Sequence, residues 1–258
     1  MSDGIYSAAS GAVAQERALQ AVANNVANVN TAGYQGDKTI FAEVMKKVKS
    51  ALPQEPTLRY ATVSQFAVDG APGALKLTGR NLDIALHGDG YLTVQTPQGE
   101  RYTRAGSLVM DNDGVLRTPG GYEVLKEGKR LPGMKPDELP PGERIVVPKT
   151  TGEVLFGQDG FISADTLKIG KLKLVQFDKQ EDALREGLTL FTNQPGKQPK
   201  QAGPTTSVEQ GYLESANVNA VSGMNELIMV SRSFEALEKV IDAFRQIDER
   251  TAHDVGGA

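Results

Sequence analysis

Apolar residues recur every seven positions near both ends of the chain and alternate with polar ones in between. From Gly4 to Val29, Ile5, Ala12, Leu19 and Val26 form one row, and Ala8, Gln15, Val22 and Val29 form a second. Two rows at that spacing predict a helix carrying a coiled-coil seam. The seam is lined with small residues and weakened by Gln15, so it allows close backbone approach but buries little area. From Asn219 to about Ala252 the pattern is stronger. Leu227, Phe234 and Ile241 make one row, Val230, Leu237 and Phe244 the other, and Met224, Ile228 and Ile247 widen the face. Each large side chain of this kind contributes about 1.5–3 kcal/mol when fully buried. An isolated helix is marginal in water, so each stripe needs a cover, and the obvious cover is the other stripe.

The middle of the chain has a different character. All 13 prolines fall between Pro53 and Pro204, which leaves both ends free to be long helices. Twenty of the 28 glycines lie between Gly70 and Gly203. Leu82–Leu86 and Tyr91–Thr96 are apolar runs joined by Gly88-Asp89-Gly90, and Asp113-Gly114 and Asp159-Gly160 each separate two further short runs. Asp-Gly between apolar runs predicts a β-hairpin. Leu167 to Phe177 alternates like one half-buried strand. Asn193 to Ser207 is polar, rich in Pro and Gly, and predicts a mobile loop. Asp37 to Ser50 is compatible with a short further helix, with the basic run Lys46–Lys49 as its solvated face. The expected class is α+β, with N- and C-terminal helices pairing as a coiled-coil core domain around a mainly β, hairpin-rich middle domain. The corresponding division is residues 1–36, a linker at 37–75, a β domain at 76–214, and residues 215–258.

Asparagines cluster where each terminal pattern meets the middle. Asn24, Asn25, Asn28 and Asn30 close the first, followed by Thr31, Gly33 and Tyr34, and the phrase returns in part at Asn217 and Asn219. Asn and Gly suit helix C-caps and left-handed turns, and Asn also opens helices. The first copy is therefore expected to end a helix between Asn28 and Gly33, and Asn217 or Asn219 to start one. One reading is capping alone; the sharper one adds hydrogen bonds from Asn24, Asn25 and Asn28 to another copy of the chain.

Composition narrows the chemistry. The chain has 258 residues, a net charge of -4 and no cysteine. The acidic balance argues against nonspecific nucleic-acid binding, and the lack of cysteine excludes disulfides, thiolate metal sites and cysteine nucleophiles. No apolar run is long enough to cross a membrane as a helix, and the first residues lack the basic and apolar regions of a secretory signal. The two histidines, His87 and His253, have no partner at metal-helix spacing. Asp111 to Gly114 has its glycine too early for a calcium loop. Carboxylate neighbours such as Asp111/Asp113 and Glu181/Asp182 are expected by chance among 32 acidic residues. No catalytic residue, cofactor, metal or small-molecule substrate is expected.

Three blocks resemble the flagellar axial proteins of bacteria, the rod and hook subunits. Ser10 to Gly36 is similar to the rod-protein signature, with its Ala-Asn-Asn-hydrophobic-Ala-Asn core followed by Thr-x-Gly-aromatic. Leu82 to Leu116 resembles the next shared block through Gly88-Asp89-Gly90-Tyr91 and Tyr102-Thr103-Arg104-Ala105-Gly106. Gln210 to Ile241 resembles the C-terminal block. Ala32 stands where the family often has Pro, and the proline-rich segment Leu125–Pro148 matches no shared motif. The opening residues and short length favour the proximal, F-type rod paralogue over the distal one; hook subunits usually carry an extra outer domain.

The resemblance implies a structural subunit exported unfolded through the flagellar type III apparatus. It would polymerise with itself and other rod proteins into a torque-transmitting shaft across the periplasm. The terminal helices would form the inner core and order fully only in the polymer. On that reading the assembly interface is Ile5, Ala12, Leu19, Val22, Val26 and Val29 with Leu227, Val230, Phe234, Leu237, Ile241 and Phe244. A secreted β-domain binding module on a coiled-coil stalk fits the composition but not the three blocks, and a cell-wall hydrolase fits less well.

Overall fold

A computed structural model describes residues 2–47, 57–128, 142–148, 153–165 and 167–256. Among the described residues, two helices, α1 (Ser2–Ala27) and α2 (Ala220–Gly256), enclose 19 strands in chain order. The first ten strands are β1 (Asp37–Lys47), β2 (Thr57–Val68), β3 (Leu75–Leu77), β4 (Ile84–His87), β5 (Tyr91–Thr96), β6 (Gly99–Thr103), β7 (Val109–Met110), β8 (Leu116–Arg117), β9 (Glu123–Glu127) and β10 (Gly142–Arg144). The remainder are β11 (Val154–Phe156), β12 (Phe161–Ala164), β13 (Leu167–Lys171), β14 (Leu174–Gln176), β15 (Ala183–Glu186), β16 (Leu190–Asn193), β17 (Lys200–Gln201), β18 (Ser207–Gln210) and β19 (Tyr212–Glu214). They fall into two compact units. A helical unit holds residues 1–27, 37–67 and 219–258, and a β unit holds 28–36 and 68–218.

In the helical unit α1 packs against α2 and against β1, which pairs with β2. The expected short helix over Asp37–Ser50 is instead strand β1 as far as Lys47, and residues 48–50 lie outside the described residues. Thr39, Ile40, Phe41 and Val44 explain the outcome: β-branched and aromatic residues fit a pleated ribbon once β2, equally rich in them, supplies the partner. Lys46 and Lys47 consequently sit on a strand and not on a helix face.

The β unit centres on a ten-stranded antiparallel sheet with the path β15-β16-β6-β5-β9-β8-β7; β10 joins at β9, and β14 joins β5 and carries β17. Smaller sheets are β11-β12-β13, β18-β4 and β19-β3. The main core includes Ile84, Leu86, Leu92, Val94, Leu108, Leu116, Val124, Ile145, Ile162 and Leu172. A second cluster joins Tyr91, Tyr102, Val175, Phe177, Ala183 and Phe191. Here Phe177 meets Tyr91 and Tyr102 edge-on, with centroids 5.4 and 5.3 Å apart, a geometry that suits the ring quadrupoles.

Two of the three expected hairpins form. Met110 pairs with Leu116 across the Asp113-Gly114 turn, and Phe156 pairs with Ile162 across Asp159-Gly160. The third does not. β4 pairs with β18, and β5 pairs with β6, β9 and β14, so Gly88-Asp89-Gly90 turns the chain from one sheet into another. Leu167–Phe177 is likewise divided. β13 pairs with β12 and β14 with β5, because both neighbours of Leu172–Lys173 find partners in different sheets. The segment 193–207 has more structure than its composition suggests: β17 pairs with β14, and Ala202 packs against the main core. Of Leu125–Pro148, residues 129–141 lie outside the described residues, while Gly142–Arg144 pairs with β9.

Candidate assembly elements: the helix pair and the asparagine clasps

The two terminal helices run antiparallel. A Cβ on Gly4 would meet the Phe244 ring at 2.9 Å, one on Gly11 would meet Leu237 at 3.4 Å, and one on Gly223 would meet Val26 at 2.7 Å. Glycine at these three places is what lets the larger partner side chains approach the opposite backbone. Ala12 and Val22 of the expected seam are buried, Ile5, Leu19 and Val26 are half-buried, and Gln15 is tolerated at the same depth. Val29 does not belong to the seam, because α1 stops at Ala27 and Val29 lies in the turn beyond.

Leu227, Val230, Phe234, Leu237, Ile241 and Phe244 are all half-buried, whereas Met224, Ile228 and Ile247 are exposed. A single partner helix covers the centre of a face that wide and leaves its edges open. Seam reasoning also missed a second buried row on α1, Ala14, Ala18 and Ala21. It leads to Asn25 at the same i, i+4, i+7, i+11 spacing, and the signal was present in the alanines.

Asn25 ends that row with a two-point clasp. Its Nδ2 donates to the Asp37 carbonyl and its Oδ1 accepts from the Asp37 N–H, both at 2.9 Å. The side chain thus acts as a strand neighbour for the first residue of β1. Its amide is therefore engaged within the chain, which weakens the case for Asn25 as an inter-subunit donor. Asn25→Ala should cost the helical unit about 1–2 kcal/mol through two lost bonds. Amide exchange near Asp37 should quicken while the urea midpoint of the β unit, followed by tyrosine fluorescence, stays fixed. A fall in that midpoint would make Asn25 part of the β fold.

The turn after α1 is built as the sequence implies. Thr31 N–H donates to the Asn28 carbonyl at 3.0 Å, and Thr31 Oγ1 donates to Asn28 Oδ1 at 3.2 Å. Gly33 follows at φ +70, the left-handed region that favours glycine, and its N–H donates to the Glu214 carbonyl at 2.8 Å. Asn24 and Asn30 are exposed. Tyr34 is buried, with the Arg185 guanidinium 4.9 Å above its ring. Asn219 is the N-cap of α2, accepting from Val221 N–H at 2.9 Å and Ser222 N–H at 3.2 Å.

Asn217 has a different task. Within the β unit its Oδ1 accepts from Gly36 N–H at 2.7 Å, and its Nδ2 donates to the Asp69 and Ala71 carbonyls at 2.8 Å. One amide thus ties together three stretches of chain. Arg104 and Glu214, which sequence reasoning noted only within larger blocks, lie beneath. Both are 2% exposed and paired at 2.8 Å. Arg104 also donates to the Gly88 and Gly90 carbonyls, each at 2.9 Å, and Glu214 Oε1 accepts from Gly73 N–H at 2.9 Å. Nearby, Tyr91 Oη donates to Gln35 Oε1 at 3.0 Å and accepts from Gln180 Nε2 at 2.8 Å. Burial pushes the Tyr91 pKa up, which keeps this hydroxyl a neutral donor.

Of the residues first considered for chemistry, Asp111 is engaged by its own turn and by Arg117. Asp111 Oδ1 accepts from the Asp113 and Val115 N–H groups of its turn, and Asp111 Oδ2 accepts from Arg117 at 2.8 Å. The Arg117 hydrogen bond, followed by the backbone donors, holds the Asp111 carboxyl below its ordinary range. Asp182 is buried and Glu181 exposed, on a single 3₁₀ turn. His87 is exposed at the end of β4, and the His253 side chain lies outside the described residues.

These elements lie in or beside segments that match family models. Residues 5–35 match the family model described as flagella basal body rod protein, and residues 209–253 match the flagellar basal body rod FlgEFG protein C-terminal model. Residues 85–164 match the flagellar hook protein FlgE/F/G D1 domain. Flagellar basal-body rod protein FlgF of Escherichia coli K12 is 34% identical over 94% of both chains. The chain belongs to the flagellar basal-body rod protein family. FlgF of Rhizobium meliloti is 30% identical over the whole of both chains, and FlgG of Bacillus subtilis 28% over 94% of this chain and 95% of its own. As a rod-family member it is a structural protein of the flagellar basal body. The rod-protein match ends at Gln35, and the C-terminal match begins at Glu209. The Asn25 clasp, the Gly33 turn, the Arg104–Glu214 pair and the Asn217 tie thus fall in or beside the matched segments.

Proposed function

We propose that this chain is a proximal, F-type rod subunit, exported unfolded by the flagellar type III apparatus, and that α1 and α2 join it to further copies and other rod proteins in the periplasmic shaft. The F-type reading is supported by relatives named FlgF that match over nearly all or all of the chain at 30–34% identity. The observation that carries the role of the helices is the mismatch between them. α2 offers six large apolar residues to a face of α1 on which Gly4, Ala8, Gly11 and Ala12 stand beside Ile5, Leu19, Val22 and Val26, and all six stay half-buried. Fixing backbone costs about 1–2 kcal/mol per residue, which a pair so thinly covered offsets poorly until neighbours complete the burial.

Hydrogen exchange tests this directly. In dilute monomer the amides of both helices should exchange fast, and the core strands β5, β6 and β9 slowly. On assembly, exchange in the helices should slow by orders of magnitude. A monomer that already protects both helices and does not associate at high concentration would refute the proposal.

A further inference from the structure

Beside Val221, Met224 and Ile228 on another side of α2, the exposed apolar residues of the helix pair include one line on each helix. On α2, Met229, Val240 and Ile247 stand at positions seven or eleven apart, with exposed Ala236 and Ala243 at the intervening heptad places. That line lies about 120° around α2 from the row that faces α1, at 3.6 residues per turn. On α1, Tyr6 and Val13 are seven apart, with Ala9 between them, on the side away from Gly4 and Gly11. The five large residues are 43–65% exposed. Because Tyr6 and Val13 have the same spacing as Val240 and Ile247, antiparallel helices could bring Val13 onto Val240 and Tyr6 onto Ile247 together.

Charge selects that direction. Arg232, Lys239 and Arg250 flank the α2 line on one side. Viewed from each N-terminus, Glu16 flanks the α1 line on the corresponding side, and Arg17 lies on the other. Two helices packed face to face bring corresponding sides together only when they are antiparallel. In that arrangement Glu16 meets the basic flank; in the parallel one Arg17 does, and like charges oppose.

Resting on the assembly reading above, we infer that α1 of a second copy packs antiparallel on the Met229–Ile247 line of α2, with Val13 against Val240 and Tyr6 against Ile247. Each molecule carries both lines, one per helix. The contact is therefore heterologous and propagates from copy to copy instead of closing a two-fold dimer.

The natural chain has no cysteine, so engineered thiols report cleanly. Val13→Cys and Val240→Cys are combined in the full chain, assembled at high concentration and treated with a short bis-maleimide. The double variant should give a ladder of dimer, trimer and higher species on a denaturing gel, and neither single variant should crosslink. Adding Glu16→Lys should lower the ladder several-fold, and adding Lys239→Glu to that should restore it. Dimers from Val240→Cys alone would show α2 packing on α2 and overturn the inference, as would a bridge within one chain. Sedimenting polymer without a ladder would overturn this contact while leaving the assembly role intact; protein that never sediments would overturn both.

Discussion

Arg104→Ala should destabilise the β unit by about 3–5 kcal/mol, the range for breaking a buried ion pair by removing one partner. The guanidinium and the Glu214 carboxylate are each 2% exposed. Truncation leaves that carboxylate buried with Gly73 N–H still donating to it, and strips the Gly88 and Gly90 carbonyls of the Arg104 donor. Arg104→Lys should rescue little, because one ammonium cannot reproduce a planar fork spread over a carboxylate and two carbonyls. Arg104→Met with Glu214→Leu should recover part of the loss by removing the uncompensated charge, while leaving Gly73 N–H unsatisfied. Urea unfolding followed by tyrosine fluorescence measures all three. A loss below about 1 kcal/mol for Arg104→Ala would mean that water replaces the guanidinium and the pair is not sealed.

Gly33→Ala is the second large effect expected, at about 2–5 kcal/mol. One part is backbone: φ is +70, where a Cβ costs about 1–2 kcal/mol. The other part is space. A Cβ would sit 2.3 Å from Ala105 N and 2.5 Å from Arg104 C, both main-chain atoms that cannot swing aside; overpacking of this kind typically costs about 1–3 kcal/mol. Gly79→Ala separates the two terms. Gly79 has φ +71 but nothing within 4 Å of its Cβ position, so it should lose only the backbone part. Equal losses at both positions in thermal unfolding would show that the close approach to Arg104–Ala105 contributes nothing.

What the sequence made legible depended on the range of the interaction. The terminal helices, the Asn219 cap, the turn at Thr31–Gly33 and two Asp-Gly hairpins are local, and their signals sit within a few residues of one another. The failures lie where a distant partner decides. β4 and β5 look like a hairpin, yet Ile84 pairs with Gln210 and Leu92 with Thr103 and Leu174. Asp37–Lys47 could read as helix until β2 offers itself as partner. Asn217 looked like a cap because its bonds to Gly36 and Asp69 cross most of the chain. Arg104 and Glu214 stood in separate blocks, and nothing in either block announced that they meet underground. The widened face of α2 was legible as apolar, but only the packed pair displays that a single partner helix leaves its edges open.

Gly4 lies against Phe244, so the first turns of one helix rest on the last turns of the other. Closing that contact spans nearly the full length of the polypeptide, and loop closure grows costlier with the number of residues enclosed. The pair is therefore a late contact for a chain made from its N-terminus. Until α2 is made, Gly4 and Gly11 of the leading helix lack the large side chains that they leave room for.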